Sequence, residues 1–533
     1  MRFARSAPLA PRTPPAPRTP PAPRTPPARL ASPPRRRPRL LAALCLAPLL
    51  TGCFAASGED EGDAKGSAAG GGARLRVALA FPPAENLSPY GADATILSRL
   101  GVTEGLTALD ANGAAAPALA ASWRREDDRT WLFTLREAVF QDGSDVTPAA
   151  VAASLTRATL ARPAPAALAG VTLTAKAGGG TGVRVTTARP DPVLPLRLSS
   201  PSLAVLSPKA YAKKGAVDPA GTATGPFELT EVNGATAAAL DRFDDYWGGL
   251  ARASGVDVRF IADGSARANA LRTGQVDVAE AIPVAQAAGL DADTRRETAT
   301  TRTTSLHLNT RSGVFKTPAL RAAARAAVDT SALAEGVYEG HADAGAGIYG
   351  PAVTWAASKR VQPTGRARPA APGGAFVTLA TYDNRPELPE VAQVLKQQLE
   401  KAGFTVKLEV REYARLETDA LAGKFDAVVG ARNSLLDTGD PVSLLASDFT
   451  CAGGYNLALL CDKGVDRAVG AAQAVADTGG RQDAAMAAEA AVLGTDAVVP
   501  LVHQRVVTGV DDDVSGVLLD PYERTLVGTG TRR

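Results

Sequence analysis

Histidine, methionine and aromatic side chains are scarce in this 533-residue sequence: 3 His, 2 Met and 5% Phe, Trp and Tyr. So few histidines give little support to a histidine-rich metal centre, and so few aromatics leave little material for the stacked platforms that sugar sites use. Long apolar runs are also missing. Beyond the N-terminal leader nothing approaches the ~20 unbroken apolar residues of a spanning helix, which excludes a polytopic membrane protein. The first 52 residues contain ten Arg and no acid, so the other 481 carry 48 basic and 55 acidic side chains, a balance of −7. The basic isoelectric point thus belongs to the leader, and a nucleic-acid partner, which needs clustered Lys and Arg on the folded part, is disfavoured. No phosphate-cradling Gly-x4-Gly-Lys-Ser, nucleophile elbow or His-Glu-x-x-His pair occurs. No catalytic residue, cofactor or metal site is assigned, and no enzyme is called for.

What is present begins with Ala-Pro-Arg-Thr-Pro-Pro, repeated three times between residues 10 and 27, in a leader holding 14 of the 39 prolines. Proline at this density removes backbone donors and fixes φ, so no packed core forms there. Arg35, Arg36, Arg37 and Arg39 precede an apolar run from Leu40 to Leu50 and then Thr51-Gly52-Cys53. A basic flank, a short apolar segment and small residues before a cut make an export signal. Leu50 to Cys53 resembles a bacterial lipobox, which implies cleavage before Cys53 and its acylation. Residues 1–52 are then extension plus signal, and 53–73 a Gly-, Ala- and Ser-rich tether. Outside the cytosol, Cys451 and Cys461 read as a disulfide; a metal site is the rival reading, but no histidine lies near the pair in sequence.

Length implies two to four folding units. Strand-like and helical segments alternate: Leu75 to Ala80 reads as a strand, Pro318 to Val328 as a helix after the strand-like Ser305 to Asn309. Pro389 to Ala402 reads as a helix, capped by Gly403 and followed by the strand Phe404 to Val410. Thr147-Pro148 marks a helix start, Thr as cap and Pro at the first helical position. The class is mixed α/β. His503 lies in an apolar strand-like run and reads as structural, and the acid pairs at 127–128, 244–245 and 511–513 read as solvated turns.

The segments Gly101 to Asp110, Pro117 to Trp123 and Trp131 to Gly143 resemble, in that order, the N-terminal signature of family 5 extracellular solute-binding proteins. Thr224 to Phe227, Asp244 to Gly249, Ala270 to Asp277, Leu308 to Thr310 and Leu320 to Asp329 continue the series. The resemblance spans about residues 75 to 525. It implies a bilobed periplasmic-binding-protein-like fold, type II, cluster C, with an extra N-terminal subdomain, and Trp123, Trp131, Phe133 and Phe140 are expected to fix the core beside the crossing between its lobes. Residues 74–113, 200–298 and 500–533 would form lobe one, 114–199 the subdomain and 299–499 lobe two. It further implies a monomeric, lipid-anchored receptor of an ABC importer on the extracellular face of the cell membrane, or in the periplasm where an outer membrane exists. Its partners would be the permease subunits and a small ligand.

Peptide-binding members hold the ligand ammonium with an Asp in a Trp-x-x-Asp-Tyr-x-x-Pro pattern. The matching place is Ser434-Leu-Leu-Asp437-Thr-Gly-Asp-Pro441, which keeps the acid and lacks both aromatics. Asp437, Glu104, Tyr90 and Tyr382 are therefore the candidate ligand contacts, for peptides or related amine-bearing solutes. The alternatives are a surface sensor of a signalling peptide on the same fold, a receptor for nickel or another small solute, and an exported hydrolase. Cys53→Ala is expected to release the protein from membranes, measured by fractionating cells and blotting. Retention of an otherwise processed chain would refute the anchor.

Overall fold

The computed structural model describes residues 72–213 and 216–533; the leader, Cys53 and the tether up to residue 71 lie outside the described residues. Ten strands follow one another in a single sheet path. Leu75–Leu79 runs parallel to Gly255–Phe260 and Val278–Ile282, and Phe376–Tyr382 runs parallel to Thr405–Arg411 and Ala427–Asn433. Between these two parallel groups lie the long strands Arg295–Leu308 and Val498–Val510, antiparallel to each other and shared by both ends of the sheet.

Two separate apolar cores sit at the two ends of this pair, which makes the fold bilobed. Leu75, Val77, Phe227, Val256 and Val510 are buried together in lobe one. Leu306, Leu379, Val391, Leu395 and Val429 are buried together in lobe two. Where the chain crosses between them, pairing slips: Ala299 faces Arg505, yet Thr303 faces His503. Four steps on one strand against two on the other amount to a wide bulge, which locally disrupts the ladder and bends the strand.

Local sequence explains the flanking elements. Helix Glu387–Lys401 buries Leu388, Val391, Ala392, Leu395 and Leu399, one stripe at helical spacing. Gly403, at φ +99°, reverses the chain into strand Thr405–Arg411, a conformation that glycine adopts without Cβ strain. Thr147 Oγ1 accepts the Ala150 N–H at 3.2 Å and Pro148 opens the helix Pro148–Leu160.

A second sheet carries Ala120–Arg125, Thr130–Leu135, Gly182–Thr187 and Leu173–Ala177, all antiparallel. Phe133 and Phe140 are fully buried here, with Val151 and Leu155 of helix Pro148–Leu160, and Trp123 and Trp131 pack partly buried against them. This corrects the expectation that the four aromatics fix the core of the crossing. Alternate residues of a strand face one side of their own sheet, and that side closes on its own helix.

Cys451 and Cys461 are joined as a disulfide across the connection between helices Pro441–Phe449 and Lys463–Ala474. Replacing both by Ser is expected to lower unfolding free energy by about 2 to 3 kcal/mol, the loop-closure value for a short loop. Denaturant titration checks this, and an unchanged midpoint would show that the surrounding helices hold the loop unaided.

Candidate functional site

Ligands of open α/β sheets gather beyond the carboxyl ends of parallel strands. Here the parallel strands of both lobes point their carboxyl ends at the crossing. Leu75–Leu79 delivers Phe81 from lobe one, Phe376–Tyr382 delivers Arg385 from lobe two, and the two side chains meet with the guanidinium 5.3 Å from the ring centre. The lobe-one loop is fixed from within. Buried Asp93 accepts the backbone N–H groups of Ala84, Glu85 and Leu87 at 2.7 to 2.9 Å, a charge-assisted set that leaves the loop little freedom.

Arg302, at the crossing, holds Glu523 through two hydrogen bonds of 3.0 and 2.8 Å, and Asn433 Nδ2 donates a third at 3.2 Å. Burial alone would raise the Glu523 carboxyl, but Arg302, with Arg385 and Arg99 nearby, overrides it and holds the group at about 2. Arg524 spans the lobes. Its guanidinium donates to the Leu435 and Leu436 carbonyls at 3.0 and 2.9 Å and, on the other side, to Ser199 O and Oγ at 3.2 and 2.9 Å. Burial without a carboxylate bond lowers it to about 10.

On the lobe-two wall, Arg432 bonds Asp437 at 3.1 Å and Asp448 at 3.2 Å and lies 4.7 Å from the centre of the Tyr455 ring. Tyr455 and Tyr413 share a hydroxyl hydrogen bond of 2.9 Å, and Tyr382 stands edge-on to Tyr413 at 5.0 Å. Asp437 keeps 31% of its side chain exposed. Its Oδ2 takes the Arg432 bond, while Oδ1 has no hydrogen-bond partner among the described residues.

The four candidate contacts thus fall into three settings. Asp437 and Tyr382 lie at the carboxyl ends of neighbouring parallel strands, Tyr382 buried with its hydroxyl accepting the Ala431 N–H at 3.0 Å. Glu104 sits in a lobe-one groove of about 420 Å³ shared with Tyr522 and Arg524. It accepts from the Tyr246 hydroxyl at 2.8 Å and Trp247 Nε1 at 3.0 Å, and burial pushes its carboxyl up to about 6 despite those bonds. Tyr90 shares a 3.3 Å hydroxyl contact with Tyr211, which reaches Ser154 at 3.0 Å, and packs against the core of the four-stranded sheet. Sequence reasoning missed Arg302, Arg385, Arg432, Tyr413, Tyr455 and Glu523. A charge at the end of the apolar run Ala427 to Ala431 was the one signal that marked Arg432.

His503 and His307 are buried, and burial brings both down to about 4. His503 Nδ1 bonds Thr303 Oγ1 at 2.9 Å, and His341 Nδ1 bonds Glu297 at 3.2 Å. Among the described residues no group of three or more His, Cys, Asp and Glu gathers to hold a metal ion, and no helix is long and apolar enough to cross a membrane.

Residues 114–456 match the pattern of the bacterial extracellular solute-binding proteins, family 5, middle region. The chain is 27% identical over 467 residues to the glutathione-binding protein GsiB of Escherichia coli K12, covering 82% of this chain and 90% of that protein. Its backbone is similar to NikA from Brucella suis in complex with Fe(III)-EDTA, with a TM-score of 0.74, 22% identity and coverage of 86% and 99%. It is similar also to OppA from Haemophilus influenzae in complex with the peptide RPPGFSPFR, at TM-score 0.70, 20% identity and coverage of 86% and 98%.

The raised Glu104 carboxyl has a measurable consequence. Between pH 4.5 and about 6 the folded chain retains a proton that the unfolded chain has released. The stabilisation is therefore complete below pH 4.5 and lost as pH rises through 6. Relative to Glu104→Gln, the wild type is expected to lose about 2 kcal/mol across this window, read from denaturant unfolding at several pH values. A pH-independent difference would refute the assignment.

Proposed function

The chain belongs to the bacterial extracellular solute-binding proteins, family 5, and we propose that it captures peptides or similar amine-bearing small solutes for an ABC importer, tethered to the outer face of the cell membrane through Cys53. The observation that carries the ligand class is the state of Asp437. A carboxylate with one oxygen on Arg432 and the other free, at the carboxyl end of a parallel strand, is a ready acceptor for a ligand ammonium. The half-buried Tyr413 and Tyr455 supply apolar faces beside it, with Tyr382 buried against the edge of Tyr413. Glutathione and the nonapeptide named for two relatives are peptides, in keeping with this reading. A nickel cargo gains no ready ligand from His307 or His503, both buried.

The lobes supply the mechanism. A solute touching both walls favours the closed arrangement by its difference in affinity for the two states, and a docking permease can then distinguish loaded from empty receptor. The bulged crossing absorbs the hinge change, while Arg524 joins the closed lobes. The purified protein is expected to carry a peptide identifiable by mass spectrometry. Asp437→Asn is expected to weaken its binding by about 2 to 5 kcal/mol in calorimetry, and unchanged affinity would remove Asp437 from the site.

A further inference from the structure

Four tryptophans occur in the chain, and their indole N–H groups divide evenly. Trp131 Nε1 donates to Asp191 O at 3.2 Å and Trp247 Nε1 to Glu104 at 3.0 Å. Trp123 and Trp355, both half-buried, have no acceptor for that group among the described residues, and these two line one cavity of about 280 Å³. Trp123 belongs to the four-stranded sheet and Trp355 to the turn before helix Ala356–Lys359. Each packs on another ring, Phe133 at 6.2 Å and Tyr349 at 6.1 Å, so neither is free to swing. The loop that carries Asp437 also reaches this cavity, through Leu435 and Gly439, but Asp437 itself does not line it.

Arg481 and Asp440 are the only charged groups among the described residues of its walls, and they satisfy one another. Nε and Nη2 of Arg481 donate to the two carboxylate oxygens, both at 2.7 Å, and Nη1 donates to the Ala472, Gln473 and Val475 carbonyls at 2.9 to 3.0 Å. A charged guest would lose its water there and gain no counter-ion. Open to a guest are the two indole rings, their N–H groups, which can only donate, and the side-chain amides of Asn112 and Gln482 on the same walls. A cavity of about 150 Å³ already admits benzene, so this one has room for a ring with a polar substituent. We propose that it is a second binding site, separate from Asp437, for a neutral aromatic molecule of one or two rings that bears a hydrogen-bond acceptor. The site goes beyond the reading of the chain as a peptide receptor and does not depend on it.

Calorimetry on the full chain with benzamide, benzoate and cyclohexanecarboxamide tests this. Benzoate keeps the ring and adds a charge, and cyclohexanecarboxamide keeps the acceptor and loses the aromatic face. The wild type is expected to bind benzamide about ten-fold more tightly than either, the worth of an aromatic contact in one case and of an unpaired charge in the other. Trp355→Ala should lower benzamide affinity by about ten-fold, and Trp355→Phe should restore most of it. Ala476→Phe fills the cavity from its exposed rim without removing a core contact, and should abolish binding while leaving the Tm of the free protein unchanged. Asp437→Asn should leave benzamide binding as it is. Benzamide binding undiminished in Ala476→Phe, or lost in Asp437→Asn, would place the ring elsewhere and overturn the site. Equal binding of benzoate or of cyclohexanecarboxamide would overturn the ligand class, and the absence of any response to millimolar benzamide would overturn the proposal outright.

Discussion

Arg302 is a buried cation on a strand that runs between two separate cores. Removing either partner of the Arg302–Glu523 pair would strand a buried charge, an outcome worth several kcal/mol against folding. The same carboxylate receives Asn433, and Asn433 in turn accepts the Thr301 hydroxyl at 2.6 Å. Thr301 donates its N–H to Pro521 O at 2.9 Å. The returning C-terminal segment, whose Val514, Leu526 and Val527 belong to the lobe-one core, is thereby tied to both walls at the crossing. Strand bulge, terminal segment and lobe-two loop are consequently one mechanical unit.

Around this pair the charges are divided by task. Those on Glu523 and Glu280 are neutralised internally and set geometry. Those on Asp437 and Arg385 are left incomplete, one carboxylate oxygen and one guanidinium without a hydrogen-bond partner among the described residues. Such a division suits the proposed capture of a solute between two lobes. A solute alters the balance between open and closed only through contacts made in one state and missing in the other, and unfinished electrostatics on the lobe-two wall leave charge for a solute to complete. Saturated pairs hold the lobes' own form whether or not cargo is present.

Periodic elements were legible in the amino-acid order because their causes are local. The stripe from Leu388 to Leu399, the glycine stop at 403 and the Thr147-Pro148 start each need only a few neighbours to act. Asp437 was reachable by its spacing from Pro441. Arg432 was marked only by closing an apolar run, since Asp448 and Tyr455 come from later in the chain and only tertiary folding brings them to it. The large aromatics of the four-stranded layer were misplaced for a related reason: a strand pattern tells which residues share a face and not which surface that face will meet. Glu104 shows the same limit, because Tyr246 and Trp247 reach it from more than a hundred residues downstream.

Arg524 grips the opposite lobe at Leu435 and Leu436 through their backbone oxygens alone. Every amino acid carries such an oxygen, so the grip is indifferent to which side chains occupy those two positions. Substitutions at these two positions therefore leave the means of holding the halves together unchanged, as long as the buried Leu435 keeps its packing. Selectivity and mechanics are in this way free to evolve at different speeds.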